Sequence, residues 1–494
     1  MGTFITFPEL LLYLPLLAGI ICFFIKDEKR AKAIAFGGSL LVLGVALVSL
    51  FYISNDYLTY NAVKYFWLKN IGGSLFYSLE GAGRILTLLT AVSFPIIFLS
   101  TYKNSYKNAG AFFGLMMLAE CGLMGVFVAK DALLFYFFWE LALIPVYFLC
   151  SKWGGEKRIQ ATFKFFVYTF LGSLLMLTGI IYVYLHTGPV IDKDVVLSLH
   201  SFSLNSFYQA SLSEGDQSWL FWLFFVAFAI KMPVFPFHTW QPDTYDQSPT
   251  SVTMVLSGIM VKMGLFGVIK WLIPIFPYAV TEFTNVVMIL SIAGIIYASC
   301  IAMLQDNLKK LVAYSSIAHI GLMCAAIFAM NEMSLQGIMI QMFSHGVNII
   351  GLWIVVEMIE QQTGVKNMSE LGGVAHKAPV LTIMLVIIAF ANIALPLTNA
   401  FVGEFMMFAG IYQHSIWMAA VAGLAIILAA VYTLNMVQKV FFGNVNTITE
   451  NITDISFSQK LALGLIVLMI FAFGVYPQPM IDLAKEAVNG LVVK

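Results

Sequence analysis

Charge is what this sequence has least of. Of its 494 residues, 11% are charged and 60% are hydrophobic, whereas a soluble globular chain carries roughly 25% charged residues. A chain so poor in charge must place most of itself in lipid. Its 26 basic and 26 acidic residues cancel, so neither an acidic nor a basic partner is implied, and no basic stripe for nucleic acid is present. Cysteine is scarce as well. Cys22, Cys121, Cys150, Cys300 and Cys324 stand singly, with no CxxC, no Cys/His zinc spacing and no iron–sulfur ligand set. The chain is therefore expected to hold no metal or cofactor of its own. The N-terminus does not read as a signal peptide: Pro8 and Glu9 stand where a basic leader belongs, so the first apolar run is expected to be a retained span.

Long apolar runs are abundant. A membrane span needs about 20 apolar residues, and fourteen stretches qualify: 4–25, 31–53, 83–101, 110–129, 132–151, 162–187, 217–240, 250–272, 283–304, 309–330, 334–359, 380–412, 415–442 and 460–480. The fold class is an all-α integral membrane protein. Span seven contains AIKMPVFPFHTW, with Pro233 and Pro236, and span twelve contains LPLTNAFVGEF, with Pro396. Proline removes a backbone donor and kinks a helix, and membrane proteins tolerate such breaks where protein or water satisfies the freed carbonyls. The two breaks are five spans apart, which suggests two five-helix repeats, 110–272 and 283–442. Residues 1–109 precede them with three spans and 443–494 follow with one. An odd-numbered unit in tandem must be inverted in the membrane, a pattern of transporters. About sixteen Lys and Arg fall in or near the loops after odd-numbered spans. About eight fall on the other side, among them Lys64, Lys130, Lys193, Lys270 and Lys494. This excess puts both termini outside the cytoplasm.

Against this apolar background the ionisable residues stand out. Glu120 in LAECGLMG and Glu140 in YFFWELAL each lie about ten residues from the turn at Lys130–Asp131. At 1.5 Å per residue that is about 15 Å, near the bilayer midplane. Lys231, Lys262, His319, His345 and Glu404 fall at similar depth in spans seven, eight, ten, eleven and twelve. One buried histidine often does no more than bond a neighbouring helix, and a lysine near a span end snorkels to the surface. Seven such groups at one depth are another matter, because a mid-bilayer charge costs at least about 2.5–3.5 kcal/mol. They predict a row along the membrane that carries protons. A sodium site would gather oxygens, and no compact set of Asp, Asn and Ser is present.

The segments GLMGVFVAKDALLFYFFWELALIPVYFLCSKWGGEKRIQATFKFFVYTF, KMPVFPFHTWQPDTYDQSPTSVTMVLSGIMVKMG, LKKLVAYSSIAHIGL and QMFSHGVNIIGLW resemble the antiporter-like membrane subunits of respiratory complex I, the NADH:quinone oxidoreductase. The resemblance covers roughly residues 80–445. Within that family the chain most resembles the M subunit: Glu404 stands where the L and N subunits usually carry lysine, and the chain ends soon after span fourteen, without a long lateral helix. Three local departures are QPDTY, with Tyr245 where a histidine is usual, Ala82–Gly83 where the family commonly has DG, and LPLTNA before GEF.

The resemblance implies a proton-translocating membrane-arm subunit. Glu140 and Lys231 would be its coupled pair, Lys262 the link between half-channels, His319 and His345 a polar bridge, and Glu404 the terminal proton holder. Glu120 and His238 would be supporting positions. NADH, FMN, iron–sulfur clusters and quinone would belong to partner subunits, with L-like and N-like neighbours, in a bacterial inner membrane. The alternative is a subunit of a multisubunit Na+/H+ antiporter or another related membrane complex.

Overall fold

The structure, a computed structural model, describes residues 5–52, 60–192 and 195–489. Lys193 and Lys494, counted in the charge asymmetry, lie outside the described residues. The chain is mostly helical. The principal helices are α1 (Phe7–Phe23), α2 (Glu28–Ser49), α3 (Gly81–Ser100), α4 (Ala109–Val128), α5 (Ala132–Trp153), α6 (Arg158–Leu185) and α7 (Glu214–Lys231). They continue with α8 (Trp240–Gln247), α9 (Thr250–Ile275), α10 (Pro277–Leu304), α11 (Leu308–Phe328), α12 (Glu332–Thr363), α13 (Pro379–Asn392), α14 (Asn399–His414), α15 (Ile416–Phe441), α16 (Phe457–Val475) and α17 (Gln478–Val488). Among the described residues, 11 helices are long and apolar enough to cross a membrane, and α1 and α13 are shorter apolar helices.

Burial sorts these helices. The most apolar windows of α9 and α12 are wholly buried in protein and that of α11 is 94% buried, against 28% for α2, α15 and α16. The outer helices turn apolar residues such as Leu41, Ile427 and Leu468 outward, as lipid contact requires. The three enclosed helices carry Lys262, His319 and His345. Close packing holds them: a Cβ on Gly264 would lie 2.6 Å from the Phe228 carbonyl oxygen and 2.7 Å from Met232 Cβ, so only glycine lets α9 approach the end of α7 this closely.

Both expected breaks are present. Helix α7 stops at Lys231 and α8 starts at Trp240, and the freed Ile230 carbonyl accepts a hydrogen bond from Trp240 Nε1 at 2.9 Å. Helix α13 stops at Asn392 and α14 starts at Asn399, with Ala394 at φ 54° and Leu397 at φ 72° between them. Positive φ at a leucine is strained and persists only where the surroundings enforce it. The Leu397 carbonyl is pressed against α16, where a Cβ on Gly474 would meet it at 2.1 Å.

Three features were not foreseen. Helix α9 is interrupted by two π-helical segments, Leu256–Met260 and Val268–Leu272. Two short antiparallel hairpins sit at one face, β1 (Ala62–Leu68) with β2 (Gly73–Ser78), and β3 (Val190–Asp192) with β4 (Val195–Ser198). The first is tied to α5 through Asp131, whose carboxylate caps the Leu133 and Leu134 amides and also accepts from Ser74 N at 2.9 Å. Last, α16 ends at Val475, and the chain turns into α17, which buries Met480, Ala484, Ala487 and Val488.

Candidate functional site

Four of the sequence-predicted residues form a chain of contacts. Lys262 is fully buried on α9. Its amine donates to the Ser257 carbonyl at 2.8 Å and lies 2.9 Å from His345 Nδ1 on α12. Ser257 lies inside the first π-helical segment, and the altered hydrogen-bond pattern of such a segment offers its carbonyl to the amine. The His345 ring faces that of His319 on α11, with centroids 5.5 Å apart and planes at 56°. His319 Nδ1 lies 3.1 Å from Oε1 of Glu404, the sixth residue of α14. The same oxygen accepts from Gln341 Nε2 at 3.0 Å. All four residues are at most 7% exposed.

The two imidazoles leave one nitrogen each without a partner, His319 Nε2 and His345 Nε2. Beside His319 and Glu404 lies a cavity of about 20 Å³, which Ser299 and Tyr432 also line. Cavities of this size hold one water when polar groups face them, and Ser299 Oγ there has no other partner. Neutral polar residues brace the break below: Asn348 and Asn399 exchange hydrogen bonds at 3.0 and 3.1 Å, and Ser315 Oγ accepts from Asn392 at 3.2 Å and Tyr432 at 3.1 Å. Sequence reasoning missed this set and Gln341, although each is a polar residue in an apolar span.

The first half is looser. Lys231, the last residue of α7, is 2% exposed, and its amine has no hydrogen-bond partner. It sits 5.4 Å from the centroid of the Trp139 ring, within cation–π range. Glu140, the next residue along α5, is half-buried with Oε1 unpartnered. Glu140 and Lys231 lie within electrostatic reach of each other but form no ion pair within 4.0 Å among the described residues.

This arrangement has counterparts in known proteins. The family described as NADH:quinone oxidoreductase/Mrp antiporter, TM, matches residues 129–433. This chain belongs to that family. The NADH-quinone oxidoreductase subunit M of Rickettsia prowazekii is 34% identical, with 98% of each chain covered. Among solved structures, respiratory complex I from Thermus thermophilus with bound NADH superposes at a TM-score of 0.86 and 27% identity, covering 98% of this chain and 99% of the other. The Mrp complex from Dietzia superposes at 0.85 with 17% identity over 99% and 98% of the two chains, a likeness of fold alone. The resemblance drawn from the sequence agrees with these matches.

Within this antiporter-like family member, the remaining candidates stand apart. Glu120 is fully buried on α4 with neither carboxylate oxygen partnered, and among the described residues no hydrogen bond or ion pair joins it to the four-residue chain. His238 lies within the first break, 2% exposed, its ring among Phe235, Tyr297 and Tyr314. Nearby, Lys164 reaches the Thr239 carbonyl and Asp243 at 2.8 Å each. A polar cluster at the loop ends of α8, α11 and α12 was also missed. Lys366 bridges Asp246 at 3.2 Å and Glu360 at 3.8 Å, and Glu360 pairs with Lys309 at 2.6 Å. Burial opposes ionisation of Asp246, but Lys366, Gln247 and Asn307 outweigh it and hold the carboxyl below its ordinary range. Lysines and acids near span ends look like ordinary snorkelling groups, so only the fold reveals this pairing.

Proposed function

We propose that this chain is the M-type proton-translocating subunit in the membrane arm of an NADH:quinone oxidoreductase, and that protons move through Lys262, His345, His319 and Glu404. The observation that carries the reading is the buried contact sequence of those four residues, which ends just past the second helix break. In the same reading the chain has fourteen spans built around two inverted repeats, 110–272 and 283–442, in a bacterial inner membrane with both termini outside the cytoplasm. L-like and N-like subunits flank it. NADH, FMN, iron–sulfur clusters and quinone are held by partner subunits, and electron transfer there supplies the energy.

The chemistry follows from the donor inventory of the side chains. A charged Lys262 donates to His345, so His345 accepts at Nδ1 and carries its proton on Nε2. An ionised Glu404 accepts from His319 Nδ1, which leaves His319 Nε2 bare. The two unpartnered nitrogens are thus a donor and an acceptor. A proton given by Lys262 to His345 Nδ1 releases the one on His345 Nε2 toward His319 Nε2, and the His319 Nδ1 proton passes to Glu404. Glu140 and Lys231 act upstream: reloading of Lys262 depends on whether Lys231 holds its proton, which the Glu140 charge favours. Because the two are not in direct contact, a small approach of α5 to the end of α7 changes their interaction steeply in a low-dielectric interior.

Purification of the native complex tests the assignment. Co-purification with NADH-oxidising, iron–sulfur and quinone-site subunits, with NADH-driven proton uptake in vesicles, is the expected result. Sodium-dependent antiport by an assembly lacking quinone reduction would instead establish the Mrp-like alternative.

A further inference from the structure

Glu357 is a buried carboxylate that no step of the proposed row uses. It lies on α12 twelve residues beyond His345, which is about 18 Å at 1.5 Å per residue. Half of a hydrocarbon core is about 15 Å, so with His345 at mid-membrane Glu357 stands at the membrane boundary. It is nevertheless only 5% exposed. Its Oε1 accepts from Asn104 Nδ2 at 2.7 Å and from Gln361 Nε2 at 3.1 Å, while Oε2 has no partner. Among the described residues no cation pairs with it. Lys309 on α11 and Glu360 on α12 act on it electrostatically, but they pair with each other at 2.6 Å. Tyr106, between α3 and α4, is also within its electrostatic reach, and the Tyr106 hydroxyl lies 3.2 Å from Ser251 Oγ on α9. An ion pair therefore does not account for this carboxylate.

Unpartnered polar atoms continue inward from it. Trp353, one turn deeper on α12, and Tyr245 on α8 are fully buried, with ring centroids 5.8 Å apart. Neither Trp353 Nε1 nor the Tyr245 hydroxyl has a hydrogen-bond partner. Gln241, one turn and about 6 Å deeper on α8, is near enough to act on the Tyr245 hydroxyl, yet both its amide atoms are unbonded. The Lys262 amine lies roughly 6–9 Å deeper still. It bonds the Ser257 carbonyl and faces His345 Nδ1, which leaves one of its three donors free. Buried polar groups bond protein or ordered water, so this succession of groups without protein partners is where water is held.

We propose that Glu357 is a further proton-carrying residue, which loads from the face bearing Lys103, Lys107, Lys309 and Lys366 and reloads Lys262 through Tyr245 and ordered water. The inference rests on the proton row proposed for this chain, with that face cytoplasmic. The proton on Glu357 Oε2 passes through water to the Tyr245 hydroxyl oxygen, while the hydroxyl's own proton leaves to water beside Gln241 and reaches the neutral Lys262 amine. The Glu357 carboxylate then regains a proton from the aqueous side. A hydroxyl both donates and accepts, so Tyr245 ends each passage as neutral as it began.

The test is NADH-driven pumping by the intact complex in inside-out membrane vesicles, whose medium bathes the loading face. Glu357→Gln keeps an acceptor for Asn104 and Gln361 but carries no proton. It should assemble with an unchanged thermal midpoint and pump about tenfold more slowly at neutral pH. Relative to wild type it should recover as the medium is acidified, because direct protonation from water then replaces the lost carboxyl. Glu357→Asp should retain a measurable fraction of the rate. Normal pumping by Glu357→Gln beside an impaired Glu404→Gln control would overturn the inlet and leave the row standing, whereas normal pumping by both would remove the row as well. A deficit equal at every pH, with a lowered thermal midpoint, would reduce Glu357 to a packing role and also overturn the proposal. If Glu357→Gln fails to assemble, Tyr245→Phe, which removes only the hydroxyl, decides: slowed pumping supports the route and an unchanged rate overturns it.

Discussion

The amine of Lys262 and Nδ1 of His345 lie 2.9 Å apart, and this contact joins α9, the last helix of the first proposed repeat, to α12 in the second. The lysine has one other hydrogen-bond partner, the Ser257 carbonyl. Substituting His345→Gln preserves an acceptor for the amine but removes the second ring nitrogen. Assembly should persist while NADH-driven proton pumping falls by about tenfold or more, the usual scale for loss of a proton-transferring side chain. Acidification of proteoliposomes, normalised to assembled complex, measures this.

Glu404→Gln separates holding a proton from making a hydrogen bond. The amide can still bond to Gln341 and His319, so the packing of α14 should survive. It cannot accept a proton from His319, and pumping should drop on the same scale. Glu404→Asp, one methylene shorter, should retain a measurable fraction of the rate.

Lys231 buries an amine with no hydrogen-bond partner, which costs folding energy. Lys231→Met keeps the volume and removes the cost. The variant complex should melt at the same temperature or higher, yet pump about tenfold less or worse. Normal pumping by an assembled variant would remove Lys231 from the mechanism.

Gly264→Ala would drive a methyl group into Phe228 O and Met232. Overpacking of this kind costs about 1–3 kcal/mol, and here it also displaces the residue that follows Lys231. A lowered thermal midpoint together with reduced pumping is expected, with a larger effect for Gly264→Leu.

Asp246 has a depressed pKa in the folded protein, so its ion pair with Lys366 adds stability above the unfolded carboxyl value of about 3.9. That contribution is lost as pH falls through the lower folded value. Asp246→Asn should therefore lower the melting temperature by a constant amount at neutral pH, and the gap to wild type should close only in strongly acid buffer.

Much of this architecture was legible because lipid makes charge conspicuous. Lys262, His319, His345 and Glu404 each interrupt an apolar run, and Pro233, Pro236 and Pro396 announce the breaks. What depth alone could not supply was lateral position. Glu120 and Glu140 lie equally far from one turn, yet Glu120 stands without a contact to the row, because helix rotation and neighbour choice depend on packing details such as Gly122 against the Ala142 backbone. The expected Glu140–Lys231 pair is an electrostatic relation rather than an ion pair within 4.0 Å among the described residues. Gln341 and Asn348 were overlooked because neutral amides carry no charge to stand out. The hairpin at 62–78 and helix α17 lie outside the spans, where hydropathy has no force.

The two tilted histidine rings carry one more consequence. In the proposed relay, once a proton has crossed, each imidazole holds hydrogen on the wrong nitrogen for the next transfer in the same sense. Both rings must turn over, or exchange through the single water-sized cavity beside His319, before conduction can repeat. Such a relay passes one proton per resetting event, so repeated crossing in either direction is limited by ring reorientation in a packed interior rather than by the speed of the hop. Tight coupling, on this view, is a property of imidazoles that are slow to rearm.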